Sequence, residues 1–266
     1  ADRKLLIDSK AFVNEHRLRS WFELTTTLVA FVFIFFAILA TPYWIAKGCG
    51  ALVLGLIIVR LFALYHDHLH GSIFKDSQVA SFVLQGVGLL LLTPPSVWRR
   101  SHDYHHKHNS KLFGADIGSF RIMTVDNYQQ ASKRQRLEYR LSRSCWVILS
   151  GYAVVFLWGM CLAPLILRPR KHLDAIVSLA LHALACYAIY AVSGVAGVVF
   201  AFLVPMATAM AFGSYLFYIQ HNFRGAKISD GDEWTHAKAA MESSSHLVTG
   251  HVLNWFTVSI GFHHIH

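Results

Sequence analysis

Seventeen histidines stand in a chain of 266 residues, and the informative ones fall into short groups. YHDHLHG carries His66, His68 and His70, and RRSHDYHHKHN carries His102, His105, His106 and His108. The chain closes on GFHHIH with His263, His264 and His266, and His221 follows an apolar run in YIQHNF. On a helix, residues three or four apart share a face. His66 and His70 can therefore grip one metal side by side, while His68 points the other way. His102, His105 and His106 form a stripe that His108 leaves, and His263 and His266 are three apart. One such pair arises by chance on any polar helix; three groups with His221 point to metal. His68, His108 and His264 lean toward supporting positions rather than ligation.

The type of ligand narrows the chemistry. Imidazole suits iron and binds it as a neutral ring, which spares a low-dielectric site the cost of carboxylate charge. Soluble di-iron bundles draw on Glu and Glu-x-x-His ligands instead. Iron with open coordination positions can activate oxygen, the usual route to breaking an unactivated C–H bond. The remaining histidines read differently. His16, His172, His236, His246 and His251 are expected at the surface or in structural roles. His182, alone in an apolar run, is expected to be hydrogen-bonded packing.

The elements that must position these groups are apolar. Hydrophobic residues make up 55% of the chain and charged ones 15%, against about 25% charged in a soluble domain; mean hydropathy is +0.42. A bilayer core takes roughly 20 mostly apolar residues per helix. Spans are expected over about 24–41, 51–65, 174–192 and 195–219. The run at 79–92 is too short to cross. The run at 145–167 has basic residues at both ends, with Gly151, Gly159 and Pro164 inside, and is expected to be interfacial or re-entrant. The fold class is thus all-α, a single multi-pass membrane domain with four spans in two hairpins.

Charge placement orients it. Arg3, Lys4, Lys10, Arg17 and Arg19 precede the first run, and Lys133, Arg134, Arg136, Arg140 and Arg143 precede 145–167. The loop at 42–50 has only Lys47, and that at 193–194 has no charge. Positive segments belong on the cytoplasmic side, which gathers every histidine group there. The net charge of +9 follows from that rule, and no polar basic domain suggests nucleic acid. Cys49, Cys145, Cys161 and Cys186 show no CxxC pairing and read as small packing residues. The opening ADRKLLIDSK is polar and charged, so no signal peptide is expected and the first apolar run is read as a retained span.

HDHLH at 66–70, HDYHH at 102–106 and HHIH at 263–266 resemble, in order, the histidine boxes of the membrane fatty acid desaturases and hydroxylases, and most closely those of acyl-lipid desaturases. YIQHNF and NWFT before the third box strengthen the likeness, which runs from about residue 24 to the end. It implies a four-span protein with a cytoplasmic di-iron cap over a bent acyl tunnel. The implied ligands are His66, His70, His102, His105, His106, His221, His263 and His266. The family's third box has one more histidine directly after the position of His266, where the given chain ends, so the implied set is one short. Asp67 and Asp103 are acceptors that orient ring N–H groups, or solvent-facing polar positions. Trp98, Tyr104, Trp234 and Trp255 line the acyl path or serve as interfacial anchors.

The implied reaction is O2-dependent removal of two hydrogens from adjacent methylenes of a fatty acyl chain, lipid-linked acyl being favoured, at two iron ions. No cytochrome, flavin or iron–sulfur motif is present. Two electrons per turnover must then come from an external donor of the ferredoxin or cytochrome b5 type, for which the basic face is suited. Hydroxylation or ketolation of a lipid, alkane or carotenoid by the same centre is the near rival. A non-enzymatic haem or metal carrier is the distant one, and its ligands belong deep within spans rather than at one boundary.

Overall fold

A computed structural model describes residues 14–112, 120–229 and 231–263, apart from the side chain at 232. Among them there is no strand, only two isolated bridges, Lys111 with Ser229 and His246 with Phe262. The expected all-helical, multi-pass membrane architecture is met.

Helix α1 (Arg17–Ala40) and helix α2 (Trp44–Leu69) form a hairpin. Pro42 has no N–H to continue a helix, and the freed Ile38 carbonyl accepts a hydrogen bond from Lys47 Nζ at 2.8 Å. Gly71 (φ 70°) ends α2. Ser77 then caps α3 (Gln78–Leu90) by accepting from the Ala80 N–H. Pro94 and Pro95 stop α3 and start α4 (Pro95–His108), with an angle of 92° between the two. α4 carries Arg99, Arg100 and Lys107 besides its histidines, and this polar helix lies outside the apolar spans.

After α5 (Val125–Gln130), α6 (Lys133–Ser142) and α7 (Cys145–Leu149), the chain winds as a π-helix over Tyr152–Leu162 and finishes as α8 (Ala163–Leu167). The run at 145–167 is therefore helical, wound as α, then π, then α again. Helix α9 (Leu173–Val198) leads through a π-helical turn, Val199–Leu203, into α10 (Val204–His221). Two short helices, α11 (His236–Ser243) and α12 (His251–Phe256), precede the third histidine group.

Three helical stretches are long and apolar enough to cross a bilayer: Arg17–Ala40, Trp44–Leu69 and the 49-residue Leu173–His221. The third is two legs. Gly194 sits at φ 63°, ψ −162°, a conformation open in practice to glycine alone. The His182 and Phe202 rings lie 4.7 Å apart, whereas twenty residues of straight helix would separate them by about 30 Å. The chain therefore folds back at Gly194, and four apolar legs result. Leu54, Ile58, Phe156, Phe202, Met206 and Met210 form the core between them.

The break after α3 exposes carbonyls in an apolar setting, where each unpaired polar group costs several kcal/mol. Side chains from other helices take them. Leu89 O accepts from Ser178 Oγ, and Leu90 O from His182 Nδ1 at 2.9 Å. Cys161 Sγ lies 3.6 Å from Leu92 O. Tyr152 completes the His182 site by donating its hydroxyl to Nε2 at 2.6 Å. The expected packing role of His182 thus has a specific partner on each ring nitrogen. On the far side of the break Pro94 offers no capping side chain to α4. Asp174 does so from α9, accepting from Ser96 N at 2.7 Å and Ser96 Oγ at 2.6 Å. His172 Nδ1 donates to the same Ser96 Oγ at 2.9 Å. His172 is thus a buried structural histidine.

Candidate metal centre

His66 and His70 lie one turn apart at the end of α2, with ring centroids 4.6 Å apart. His102 and His106 repeat that spacing on α4 at 4.5 Å. The bend at Pro94–Pro95 brings the two pairs together. His102 Nε2 lies 2.8 Å from His70 Nε2 and 3.1 Å from His106 Nε2, and the four residues' ligand atoms fall within 4.8 Å of one another. His105, on another face of α4, joins a second group with His221 and His263. His221 Nε2 lies 3.0 Å from His105 Nε2 and 2.9 Å from His263 Nε2. The groups adjoin: the His106 ring is 4.8 Å from His70 and 6.1 Å from His263. Five of the seven rings are buried; His106 is half-buried and His70 exposed.

These distances test the donor set. An imidazole nitrogen has either one lone pair or one hydrogen, so three Nε2 atoms meeting at His102, and three at His221, cannot all be joined by linear hydrogen bonds. Convergence on a shared cation satisfies them. Nitrogens at right angles on a metal with bonds of about 2.1 Å stand roughly 3.0 Å apart, which matches the 2.8–3.1 Å observed. The residues fit metal ions.

The far nitrogens fix the tautomers. His221 Nδ1–H donates to the Ser243 carbonyl at 3.1 Å and His66 Nδ1–H to Asp67 Oδ1 at 3.1 Å, leaving Nε2 of each as the lone-pair donor. Burial, reinforced by neighbouring histidines, holds the His102 and His105 imidazoles well below the ordinary histidine range. Burial shifts His70 the same way, while the carboxylates of Asp67 and Asp103 oppose it. Neutral rings are the metal-binding form.

Two other box histidines turn away. His68 Nδ1 donates to the Ile73 carbonyl at 3.3 Å. His108 donates to the Tyr104 carbonyl at 2.9 Å, with its ring stacked on Tyr104 at 3.9 Å. Asp103 is exposed. His264 and His266 lie outside the described residues. His16, His236, His246 and His251 are exposed, and the His246 ring stacks on Phe262 at 4.6 Å beside the third group. The one Glu-x-x-His spacing, Glu233 to His236, lies at exposed positions away from both groups.

His263 is delivered by a tight segment. The Gly261 carbonyl accepts from the Leu247 N–H at 2.8 Å, and a Cβ there would stand 2.6 Å from Leu247 O, so only glycine fits. Val258 and Ser259 just before it hold positive φ, 52° and 59°, strained for a β-branched residue above all.

An apolar cavity of about 270 Å³ ends at His102. Its walls come from α2 (Val59, Phe62, Ala63), the π-helix (Val155, Phe156, Met160) and α10 (Gly213, Ser214, Phe217), with Trp98 and Gln220 at the histidine end. Trp98 stacks on His102 at 5.0 Å. Tyr104 and Trp255 do not line it. Tyr104 is occupied by His108, and Trp255 lies under the Arg60 guanidinium, 4.0 Å from its ring centroid. Trp234 donates its N–H to Asn109 O. The buried Arg60 carried no sequence signal beyond being a lone cation in an apolar run, and nothing in that run named its partners.

The comparisons agree with this geometry. The family model "Fatty acid desaturase" matches residues 42–266. The chain is 29% identical over 264 residues to a fatty acid desaturase of Bacillus subtilis (strain 168), covering 96% of this chain and 74% of that protein. It is 22% identical over 264 residues to the omega-3 fatty acid desaturase fat-1 of Caenorhabditis elegans, covering 91% of this chain and 65% of that one. With two groups of converging imidazoles beside an apolar cavity, and a family match over most of its length, the chain belongs to the fatty acid desaturase family of membrane oxidoreductases.

Proposed function

We propose that this chain performs its family's O2-dependent desaturation of fatty acyl chains at two iron ions. His66, His70, His102 and His106 would hold one, and His105, His221 and His263 the other. His266, outside the described residues, is assigned to the same set through the third box. The observation that carries this reading is the convergence of seven imidazoles into two adjoining groups, one member of which, His102, lines an apolar cavity. Bound iron would supply the activated oxygen that an unactivated methylene requires.

The chain's own residues do the rest. The apolar walls hold an acyl chain and exclude water. Trp98, stacked on His102, fixes which part of that chain lies beside the histidines. Asp67 and the Ser243 carbonyl hold the His66 and His221 rings in the ligating tautomer. A lipid-linked acyl group is the favoured substrate, because the three histidine boxes most resemble those of acyl-lipid desaturases. Two electrons per turnover come from an external ferredoxin or cytochrome b5 type donor. The histidine groups face the cytoplasm by the distribution of Lys and Arg, and the basic residues of α6 present that side to an acidic partner.

Expression in a host lacking unsaturated fatty acids, with lipid mass spectrometry, tests the reaction. Products two hydrogens lighter are expected; products one oxygen heavier would replace desaturation by hydroxylation. Two irons per purified chain without a Soret band are expected, and a Soret band would replace the metal assignment by haem.

A further inference from the structure

Arg60 is a guanidinium buried in the interior of α2, inside a candidate span, where a charge is costly and persists when it is fully partnered. Its partners come from two other helices. Within α1 it pairs with the Glu23 carboxylate and donates from Nε to Thr27 Oγ1 at 2.9 Å. Across 195 residues of sequence it donates to the Trp255 carbonyl, with its plane over the Trp255 ring, 4.0 Å from the centroid. Trp255 belongs to α12, and eight residues later the chain delivers His263. Between them lies the strained pair Val258 and Ser259. A turn of that kind persists only when the surroundings hold it. The Leu247–Gly261 hydrogen bond holds its far end, and Arg60 holds its near end.

We propose that Arg60 is a positioning residue for the second histidine group. It ties the segment carrying His263 to the helix carrying His66 and His70, and so sets one metal position relative to the other. The role needs a planar fork that bonds a carboxylate, a hydroxyl and a carbonyl while stacking on an indole. Lysine, a point charge on a flexible stem, cannot supply it. The metal side of this inference rests on the two-iron reading above; the tethering side does not.

The test uses the full chain in lipid nanodiscs with Arg60→Lys and, because a buried cation can fail to fold, Trp255→Leu at a partly exposed ring. Deuterium uptake at 251–263 and at 66–70 is measured beside anaerobic Fe(II) titration. In both variants uptake is expected to rise at 251–263 and stay unchanged at 66–70. Affinity for one of two irons is expected to fall about 10–100-fold, the range for lost supporting contacts, with the other unaffected. A merely structural role would shift both irons or neither. Unchanged uptake at 251–263 in Trp255→Leu, or equal loss of both irons in a folded variant, overturns the proposal. If the unaltered chain binds no iron, the two-iron reading fails, and the uptake result alone decides whether Arg60 tethers the segment.

Discussion

Replacing His221 by alanine separates the two histidine groups. His221 is the hub of the second: its Nε2 makes both close approaches, 3.0 Å to His105 and 2.9 Å to His263, whose own rings stand 6.5 Å apart. Loss of an outer partner of a metal ligand typically costs 10–100-fold in affinity. Loss of a ligating ring should exceed about 100-fold, roughly 2.7 kcal/mol. The effect on folding is smaller, about 1–3 kcal/mol for the buried Ser243 carbonyl left without its donor. The variant is therefore expected to stay folded, keep the iron of the first group, lose the other and lose desaturation. Iron per chain after size exclusion, read beside helicity and melting temperature, checks this. His182→Leu is the matched control. It is an equally deep histidine with both nitrogens bonded, 2.6 Å to Tyr152 Oη and 2.9 Å to Leu90 O, and far from either group. It is expected to lower the melting temperature and keep both irons. Retention of two irons by His221→Ala, or loss of iron by His182→Leu, would refute the division into two groups.

Other outcomes follow from the same geometry. His68→Ala and His108→Ala, whose rings bond backbone carbonyls away from the groups, are expected to retain both irons and most activity; loss of iron from either would show that ligation extends to all box histidines. A Cβ on Gly213 meets only the Phe156 ring, at 4.0 Å. Gly213→Ala is thus expected to be neutral or to stabilise by up to about 1 kcal/mol, while Gly213→Leu fills the cavity and shifts the products toward shorter chains with iron unchanged. Unaltered chain-length preference in Gly213→Leu would mean that the acyl group lies elsewhere. Protonation competes with metal for an imidazole, and burial depresses the pKa of His102 and His105, so the neutral, binding form persists to lower pH. Iron content after dialysis should hold from pH 8 to about 6.5, the ordinary histidine value, and fall only below it; half-loss at pH 7 or above would contradict that shift.

Local information in the sequence was enough for the helices and for which histidines share a face. A spacing of four puts His66 over His70 and His102 over His106 on any helix, and turns His68 away, whatever surrounds them. The uncharged link at 193–194 marked a reversal because nothing but a turn fits between two apolar runs there. Partition of the second box was not legible. Whether His105 sides with His102 or with His221 depends on the 92° bend at Pro94–Pro95, which fixes the angle at which α4 crosses the ends of α2 and α10. The same holds for Arg60, whose carbonyl partner lies 195 residues away, and for Gly261, whose requirement is a backbone approach from Leu247. The π-winding of 152–162 also escaped the pattern, since an apolar run hydrophobic all round carries no period to read.

The bend that splits the second box also explains residues remote from the histidine groups. A polar helix bearing His102, His105 and His106 must cross the mouth of an apolar bundle, so α3 has to stop short and turn sharply into it. Stopping there strands the Leu90 carbonyl and leaves that of Leu89 only a 3.3 Å backbone bond from Leu92 N–H, and starting again after two prolines leaves the first turn of α4 without a cap. His182 and Ser178 answer the first problem and Asp174 the second, all three from α9. One helix thus stabilises both sides of the break, and its own direction is set by the reversal at Gly194. The position of α4 relative to His66 and His221 is consequently a property of α9, a helix that contributes no imidazole to either group. Substitutions along α9 that spare the fold should be read for their effect on both irons together, whereas changes at Arg60 or Gly261 act on His263 and should be read on one.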